Sequence, residues 1–479
     1  MYSPSSTRAK GFVYSCLALS FLALAAYKAY FLAFTHDESL SYLDYVIGRN
    51  SWEVISFAHH ASANNHPLNS LLMKGCNTLF GAAEWALRLP NLLAGALFAY
   101  AIWRLLQALP RLSLPLFFLG GSWLLGQAYF NDFFSLARGY GLSYGFFLLA
   151  FAQLYLLKSS LKGLAAALLL ACLSVYANFS QLIPLLALLA SYTLYQLLFG
   201  PNRKAHLFAQ LGLMGLGLLG LGAAIAGPIS GLIERKELYF GGEKGLLQDT
   251  IGSLAKHQLQ GLGLEQYSFL LYYAYPLLLL LGLLFLVLKR KENSPIYRLI
   301  FMSSLLLSLM SIGHILAHKL FGVRFLIDRT ALIYLPFIQL LSFALFAALV
   351  QKWRLQSWLA GGFSLLQLYI FAQSWQPHAF REWTYEQDNK AILAAVSELA
   401  QKEQKTYSLG TYWLNLPSFR YYQQRGCYPG IQLMNYRAEF DAQAHFDFYY
   451  IYAPYGYEAL KQDYRPYQTF AEGQLFRHR

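Results

Sequence analysis

Long apolar stretches separated by short polar segments make up most of the first 374 residues of the chain. Eleven of these stretches approach the length of about 20 residues that an α-helix needs to cross a bilayer. The pattern therefore predicts an all-α polytopic membrane protein with about eleven transmembrane helices. The predicted spans lie near residues 12–34, 86–106, 113–130, 139–157, 163–179, 181–199, 207–231, 268–288, 297–318, 330–350 and 356–374.

Two polar segments within this region are longer than turns. The first, residues 35–85, contains a stretch at 69–80 with apolar and polar positions at helical spacing, which predicts a helix lying along the membrane interface. The second, residues 232–267, mixes charges with glycines and is predicted to be a mobile outer loop. We predict that residues 1–374 form one transmembrane domain that carries both loops.

The last part of the chain, residues 375–479, is called the tail and is much more polar than the rest. Apolar residues at helical spacing predict a helix at about 387–404. Strand-like runs follow at 406–409 and 446–452. These elements predict a small soluble α/β domain on the outer side of the membrane.

Composition and the distribution of charge predict how the chain is oriented in the membrane. The chain is 57% hydrophobic and 13% charged, and its net charge is +13. With the N-terminus placed in the cytoplasm, the cytoplasmic segments hold fourteen Lys and Arg residues and one acid, Glu292. The outer segments before the tail hold eleven basic and twelve acidic residues. This asymmetry follows the positive-inside rule, so the positive charge reports orientation and gives no argument for binding nucleic acid.

Two adjacent carboxylates, Asp37 and Glu38, follow directly on the first predicted span. Ionisable groups at membrane depth are costly and by default suggest a functional site. Neighbouring like charges raise each other's pKa, which suits a general base if one of the two groups is partly buried. The plain alternative is a solvated pair of loop acids.

Other polar residues are predicted to lie on the same non-cytoplasmic face of the membrane as Asp37 and Glu38. His66 precedes Pro67, as is typical of a helix start, although an imidazole there also suits contact with a phosphate. Arg138 suits phosphate binding through its planar fork, or it snorkels to the interface. Asp328 and Arg329 are adjacent and pair with each other in the simplest interpretation. The residues that share the non-cytoplasmic face, and so indicate one site, are Asp37, His66, Asp132, Arg138 and Arg329.

The sequence gives little sign of a cofactor. His59 and His60 lie near His66, but their spacing matches no standard metal motif. The four cysteines also lack metal-type spacing. No cofactor is therefore predicted, and a divalent metal stays open as an alternative. The predicted cytoplasmic loops contain no nucleotide-binding fingerprint.

Six segments form a recognisable order along the chain: Asp37-Glu38, His66-Pro-Leu-Asn-Ser-Leu-Leu-Met-Lys74, Leu79-Phe-Gly81, Glu84-Trp-Ala-Leu-Arg-Leu-Pro90, Ala137-Arg-Gly-Tyr140 and Asp328-Arg-Thr-Ala-Leu-Ile-Tyr-Leu-Pro336. Together they resemble the GT-C glycosyltransferases, in particular the protein O-mannosyltransferase and lipid A aminoarabinose transferase group (family 39-like). The resemblance covers about residues 35–100, with weaker similarity at 131–145 and 324–340. One departure is Pro67-Leu68, where the family usually has a double proline, and the tail has no assignable motif.

The resemblance implies an inverting glycosyltransferase of the bacterial inner membrane, with a periplasmic active site and tail domain. Its donor is a sugar linked to a polyprenyl phosphate, and its acceptor is a lipid, a glycan or a protein. Asp37 matches the family's catalytic base, and Glu38 and Asp132 are the other catalytic candidates. The implied substrate-binding residues are His66, Lys74, Arg138, Tyr140, Asp328 and Arg329.

Two other functions remain open at this point. A ligase for whole lipid-linked oligosaccharides would use a larger donor cavity and a long outer loop such as 232–267. A lipid or solute transporter would show charges at the membrane midplane and paired broken helices in a repeat. Within the predicted spans only Lys28 is charged well inside the membrane, and no repeat is evident.

Overall fold

The structure is a computed structural model and describes residues 4–58, 62–109, 112–157, 160–199, 207–289, 294–350, 353–434, 445–455, 457–460 and 462–479. His59 and His60, which entered the metal hypothesis, lie outside the described residues. In chain order the helices are α1 (Pro4–Phe31), α2 (His36–Ser41), α3 (Ser51–Ser56), α4 (Pro67–Phe80), α5 (Glu84–Gln107), α6 (Leu114–Leu125), α7 (Ala128–Phe134), α8 (Gly139–Leu156), α9 (Leu161–Ala177), α10 (Leu182–Phe199), α11 (Leu207–Glu234), α12 (Gly252–Leu259), α13 (Ser268–Leu288), α14 (Pro295–Phe321), α15 (Asp328–Ala331), α16 (Tyr334–Val350), α17 (Gln356–Ser374), α18 (Asn389–Glu403) and α19 (Leu416–Gln424).

Ten of the eleven predicted spans coincide mainly with one of these helices each, and the span at 113–130 is the exception. By length and composition, α1, α5, α8, α10, α11, α13 and α14 can cross a membrane, and α6, α9 and α16 are shorter apolar helices. The predicted all-α polytopic membrane protein with a small C-terminal α/β domain is thereby confirmed. The protein is an integral membrane protein.

Two segments differ from the prediction. The predicted span at 113–130 is broken, because α6 ends at Leu125 and α7 begins at Ala128. A Cβ atom on Gly126 would lie 2.4 Å from the Ser122 carbonyl oxygen, so glycine is needed where the chain leaves α6. The expected outer loop 232–267 also contains helical structure, a π-helical turn at Leu246–Ile251 that continues into α12.

Glycines bring α8 close to its neighbours. A Cβ atom on Gly141 would lie 2.4 Å from the Phe133 carbonyl oxygen, and one on Gly145 would lie 2.6 Å from the Ala94 carbonyl oxygen. Small residues permit such close approach between membrane helices. Because α8 begins directly after Arg138, this packing also fixes where that arginine enters the outer face.

The C-terminal part contains a five-stranded mixed sheet. Its strands are β1 (Tyr407–Thr411), β2 (Ile431–Leu433), β3 (Phe448–Tyr452), β4 (Tyr464–Thr469) and β5 (Gly473–His478). The strand order is β2-β1-β3-β5-β4, with β1 parallel to β2 and β3, and β5 antiparallel to β3 and β4. The register pairs Leu409 with Phe448 and Tyr450 with Leu475, and all four side chains are buried.

The tail packs directly against the first outer loop. Phe34 stacks on Tyr421 with ring centroids 4.2 Å apart, and the Tyr422 hydroxyl accepts a hydrogen bond from the Phe34 backbone N–H at 2.9 Å. Arg425 and Lys390 both pair with Glu84, at 2.6 and 3.0 Å. The tail therefore holds the start of α2, which carries the two candidate carboxylates.

Candidate active site

Asp37 lies on α2, whose first turn is fixed by a capping box. The Thr35 hydroxyl accepts a hydrogen bond from Glu38 N–H, and Thr35 N–H donates to the Glu38 carboxylate at 2.9 Å. The Asp37 side chain is 19% exposed, and its Oδ2 lies 3.7 Å from Arg138 and 3.9 Å from Arg329. Asp37 is thus a partly open carboxylate facing two guanidinium groups.

Two opposing effects act on the Asp37 carboxyl. Burial by itself raises its pKa, but the positive charges of Arg138 and Arg329 outweigh burial and hold the pKa below its ordinary value. Asp37 is therefore ionised at neutral pH. The mutual repulsion expected from the adjacent Glu38 therefore does not decide the direction, because the pKa of Asp37 is lowered and not raised.

Glu38 is held in a different environment. Its two oxygens accept hydrogen bonds from Arg88 Nε at 2.8 Å and Nη2 at 2.7 Å, and neither side chain is exposed. Ala137 N–H also donates to Glu38 at 2.6 Å. Arg88 in turn donates to the carbonyl oxygens of Leu32 and Ala33 at the end of the first membrane helix. Glu38 therefore fastens α2 to α1 and α5, while Asp37 stays partly exposed.

Arg138 reaches Asp37 from the start of α8. Its Nη1 donates to the Asn64 side chain at 2.6 Å and to the Ser41 hydroxyl at 3.0 Å. Its Nε is buried and has no hydrogen-bond partner in the structure. Nη1 is thus anchored by the first outer loop. Nη2 faces Asp37 Oδ2 at 3.7 Å, which is longer than a hydrogen bond, so the Nε–Nη2 edge keeps donors for another group.

Arg329, from the short helix α15, approaches Asp37 from the other side. Its guanidinium forms an ion pair with Glu382 and donates from Nε to the Tyr140 hydroxyl at 3.3 Å. The Phe240 and Trp383 rings lie 4.5 and 5.6 Å from its guanidinium carbon. Arg329 therefore does not pair with its neighbour Asp328 as the simplest interpretation of the sequence would have it.

Asp37, Arg138 and Arg329 form a charged cluster, and His66 lies next to it. Its Nδ1 is 3.0 Å from the Ala177 carbonyl oxygen, and its ring meets the Tyr140 ring edge-on with centroids 5.0 Å apart. Burial and the nearby Arg138 hold the pKa of His66 well below its ordinary value, although Ala177 and Asp37 act in the opposite direction. His66 is therefore neutral, which gives no support to a positively charged phosphate ligand at this position.

Three other predicted site residues have partners elsewhere. Asp132 forms a buried ion pair with Lys28 at 2.5 Å and accepts a hydrogen bond from Arg381 N–H at 3.0 Å. Lys74 donates to two carbonyl oxygens of the first outer loop, each at 2.5 Å. Asp328 lies 3.1 Å from His257 Nε2. These contacts join separate parts of the chain and do not place the three side chains against Asp37.

Sequence reasoning missed several residues next to the cluster. Glu382 bridges Arg329 and the Tyr129 hydroxyl, and His257 stacks on Tyr129 with centroids 4.1 Å apart. The sequence feature that could have indicated them is the charged pair Arg381-Glu382, which follows the last predicted span, 356–374. Two such charges at a membrane boundary are the same kind of feature that singled out Asp37.

Glu386 is a second carboxyl group beside α2 that the sequence did not single out. It is 2% exposed, its Oε2 accepts a hydrogen bond from His36 N–H at 2.8 Å, and its Oε1 has no partner in the structure. Burial raises the pKa of Glu386 well above its ordinary value, and the nearby Asp37 and Glu38 charges act in the same direction. The side chain is therefore protonated where an exposed glutamate is ionised.

Glu386→Gln should stabilise the protein at neutral pH. Above about pH 4.3, the ordinary pKa of glutamic acid, the unfolded chain loses a proton that the folded chain keeps. Stability therefore falls as the pH rises toward the raised pKa of Glu386. The neutral amide removes this penalty, so thermal unfolding in detergent at pH 7 should occur a few degrees higher than in the wild type. The difference should vanish below pH 4.

The matched control for this prediction is Glu398→Gln, at an exposed position of α18. It should leave the unfolding temperature unchanged. A lower unfolding temperature for Glu386→Gln at pH 7 would contradict a protonated Glu386.

The side chains around Asp37 do not suit a divalent metal. Among the residues that the structure describes, no group of three or more His, Cys, Asp or Glu side chains could hold a metal ion. Asp37 itself lies between two guanidinium groups, which would repel a cation. The arrangement suits an anion instead.

Comparison with solved structures gives a likeness over nearly the whole chain. ArnT from Cupriavidus metallidurans in the apo state is similar with a TM-score of 0.54 and 12% identity, covering 98% of each chain. The structure of that ArnT bound to undecaprenyl phosphate gives a TM-score of 0.52 and 11% identity, covering 97% of each chain. The chain has the GT-C fold. This confirms the family resemblance at the level of the fold.

The other comparisons add less. The Archaeoglobus fulgidus oligosaccharyltransferase tethered with an acceptor peptide is similar with a TM-score of 0.42 and 14% identity, over 86% of this chain and 63% of the other. At that score the likeness supports no argument about this protein. No protein-family model and no curated protein matches the sequence. The GT-C fold therefore stands on the ArnT structures, and the roles of single residues stay predictions.

Proposed function

We propose that this protein is a membrane glycosyltransferase that moves a sugar from a polyprenyl-phosphate-linked donor to a lipid, glycan or protein acceptor. The observation that carries the proposal is the position of Asp37, an ionised and partly open carboxylate between the guanidiniums of Arg138 and Arg329. This reaction requires a base next to positive groups that bind the phosphate of the donor.

In the proposed reaction, Asp37 accepts the proton of an acceptor hydroxyl, whose oxygen attacks the anomeric carbon of the donor sugar. The bond between that carbon and the phosphate oxygen breaks, and the electron pair leaves with the polyprenyl phosphate. Attack from the side opposite the phosphate gives inversion at the anomeric carbon. Proton removal by a positioned carboxylate contributes about 10²- to 10⁴-fold to the rate.

The departing phosphate is assigned to Arg138 and Arg329. Arg138 has its Nη1 anchored by Asn64 and Ser41, and its unpartnered Nε lies on the edge that can bind two phosphate oxygens. Arg329 adds a second cation, held in place by Glu382 and Tyr140. Donors fixed before the reaction stabilise the charge that develops on the leaving group.

Donor binding would also activate the base. In the free protein the two arginines lower the pKa of Asp37, which weakens it as a proton acceptor. A phosphate bound to the same arginines would offset their positive charge. The pKa of Asp37 would then rise, so that the carboxylate becomes a stronger base only after the donor has bound.

A lipid-linked donor is consistent with the surroundings of the site. An apolar cavity of about 430 Å³ lies between α10 and α11. Leu182, at the start of α10, and Ile233, near the end of α11, are among the residues that line it. Leu182 follows closely on Ala177, whose carbonyl oxygen binds His66. We assign this apolar cavity to part of the polyprenyl chain. The ArnT structure bound to undecaprenyl phosphate supports this class of lipid.

The remaining assignments follow from the same proposal. Glu38 positions α2, and Asp132 holds the segment after α17 through Lys28 and Arg381. The active site faces the periplasm of a bacterial inner membrane, with the N-terminus in the cytoplasm. Residues 1–374 form the catalytic domain and 375–479 the periplasmic domain, which packs beside α2.

Arg138→Lys should weaken donor binding while leaving the fold intact. Lysine keeps the positive charge but cannot supply the planar Nε–Nη2 edge. Loss of a charge-assisted hydrogen bond should raise the KM for the donor about tenfold or more. Donor titration of the initial transfer rate would measure this change, and Arg465→Lys on the exposed strand β4 is the control. An unchanged KM would contradict the phosphate assignment.

The proposal is tested by a transfer assay. Purified protein in vesicles would receive radiolabelled polyprenyl-phosphate sugars together with lipid, glycan or peptide acceptors. We expect transfer from at least one donor, dependent on Asp37. If no donor supports transfer while labelled donor crosses the vesicle membrane in a protein-dependent way, the protein is a lipid transporter and the proposal is wrong.

A further inference from the structure

His66 carries an unused hydrogen-bonding atom beside the proposed active site. The residue is 6% exposed, and its Nδ1 lies 3.0 Å from the Ala177 carbonyl oxygen. A carbonyl oxygen only accepts hydrogen bonds, so Nδ1 must carry the proton. The other nitrogen, Nε2, then presents a lone pair, and it has no partner in the structure.

The ring cannot easily turn to satisfy Nε2 elsewhere. A Cβ atom on Gly139 would lie 2.7 Å from the Cβ and Cγ atoms of His66 and 2.0 Å from the Ala177 carbonyl oxygen. The Tyr140 ring packs edge-on against the other side of the imidazole. His66 is therefore fixed in place by glycine, a carbonyl group and an aromatic ring, and among the described residues its buried Nε2 has no hydrogen-bond partner.

The charges around His66 keep it neutral. The charged groups that act on it are Arg138, Asp37 and Arg329, and the two arginines together with burial oppose a second proton. A neutral imidazole that offers a lone pair repels a phosphate oxygen, because both atoms are acceptors. It attracts an O–H or N–H donor instead, and a buried acceptor without such a donor is costly.

We propose that His66 Nε2 accepts a hydrogen bond from a substrate hydroxyl at the Asp37 site and thereby selects for that hydroxyl. This inference rests on the proposed glycosyltransferase function. The hydroxyl belongs either to the transferred sugar or to the acceptor, since both carry O–H groups at the point of reaction. A site built to bind a hydroxyl discriminates strongly against analogues that lack it.

Two substitutions separate the roles of the two ring nitrogens. His66→Asn places an amide N–H near the position of Nδ1 and keeps the bond to Ala177, but it has no acceptor at the position of Nε2. His66→Gln extends an amide oxygen toward the position of Nε2. We expect kcat/KM to fall about tenfold to hundredfold in His66→Asn and to be largely retained in His66→Gln.

A matched control is available in the membrane region. His314 is similar, with Nδ1 2.8 Å from the Met310 carbonyl oxygen and a buried Nε2 that has no partner among the described residues, but its Nδ1 also lies 3.0 Å from the Tyr334 hydroxyl. His314→Asn should leave kcat/KM unchanged. An equal loss in His66→Asn and His314→Asn would mean a general packing effect and would overturn the inference.

Deoxy-sugar donors identify the hydroxyl. If the transferred sugar supplies it, removing one hydroxyl from the donor should lower wild-type kcat/KM to the His66→Asn value and have no further effect on that variant. If the acceptor supplies it, the variant should raise the acceptor KM or lower kcat with an unchanged donor KM. Either pattern supports the inference.

The wild-type protein provides a test that needs no variant. Donor affinity should stay constant between about pH 5.5 and 8, because a neutral His66 does not titrate there. A histidine that binds phosphate as a cation would lose affinity as the pH rises through about 6.5. Such a loss, stronger donor binding in His66→Lys, or full activity in His66→Asn would overturn the inference. Failure of the wild type to transfer any sugar would refute the proposed function itself.

Discussion

Asp37→Asn should lower the rate of sugar transfer by about 10²- to 10⁴-fold without lowering the unfolding temperature. Asparagine keeps the shape of the side chain but cannot accept the acceptor's proton. Because Asp37 is partly open and is not part of the buried ion pair of Glu38, its replacement removes few structural contacts. Transfer rate and thermal unfolding of the same preparation measure the two effects.

Asp44→Asn is the matched control, since Asp44 is a half-buried acid of the same outer loop that lies outside α2. It should retain activity. Transfer by Asp37→Asn at the wild-type rate would exclude Asp37 as the base.

The pH dependence of the wild type tests the same assignment. In the free protein Asp37 has a lowered pKa, so kcat/KM should stay constant down to below about pH 3.9, the ordinary pKa of aspartic acid. In the donor complex the bound phosphate offsets the arginines, so the acid limb of kcat should lie at higher pH than that of kcat/KM. Acid limbs at the same pH would contradict the coupling of donor binding to the strength of the base.

Glu38→Gln should destabilise the protein by about 3 to 5 kcal/mol, although the changed residue is the immediate neighbour of Asp37. The substitution leaves the Arg88 charge buried without its carboxylate, and neither side chain has any exposed surface to which water could bind. Arg88→Leu should have a similar effect, because it leaves Glu38 as an unpaired buried anion. Thermal unfolding and the yield of monodisperse protein in detergent measure the loss.

The double variant Glu38→Leu/Arg88→Leu separates a structural role from a catalytic one. Removing both charges costs less than removing one, so the double variant should be more stable than either single variant. It should also recover part of the transfer activity if Glu38 only positions α2. Single variants with the wild-type unfolding temperature would show that the ion pair does not hold the outer face together.

The pattern of apolar residues was enough to predict the membrane part of the fold. Helices that cross a bilayer must be apolar over a fixed length, because their backbone bonds are satisfied within the helix and their side chains contact lipid. Ten of the eleven predicted spans therefore appear as single helices, and only the span at 113–130 is divided between α6 and α7. The same rule marked Asp37 and Arg138, since charged residues at a membrane boundary stand out against an apolar background.

The pairing of the charged side chains follows from the tertiary structure. Asp37 and Glu38 are adjacent in sequence, but α2 directs one to Arg138 and Arg329 and the other to Arg88. These partners lie far along the chain, so no local pattern predicts the pairing.

The protonation states were decided in the same way. Glu386 keeps its proton because burial and nearby carboxylates disfavour the charge, and His66 is neutral because burial and Arg138 do. Both effects depend on distance and on exclusion from water. A sequence names the ionisable groups, whereas the packing of helices sets the distances and solvent access that decide their charge and chemistry.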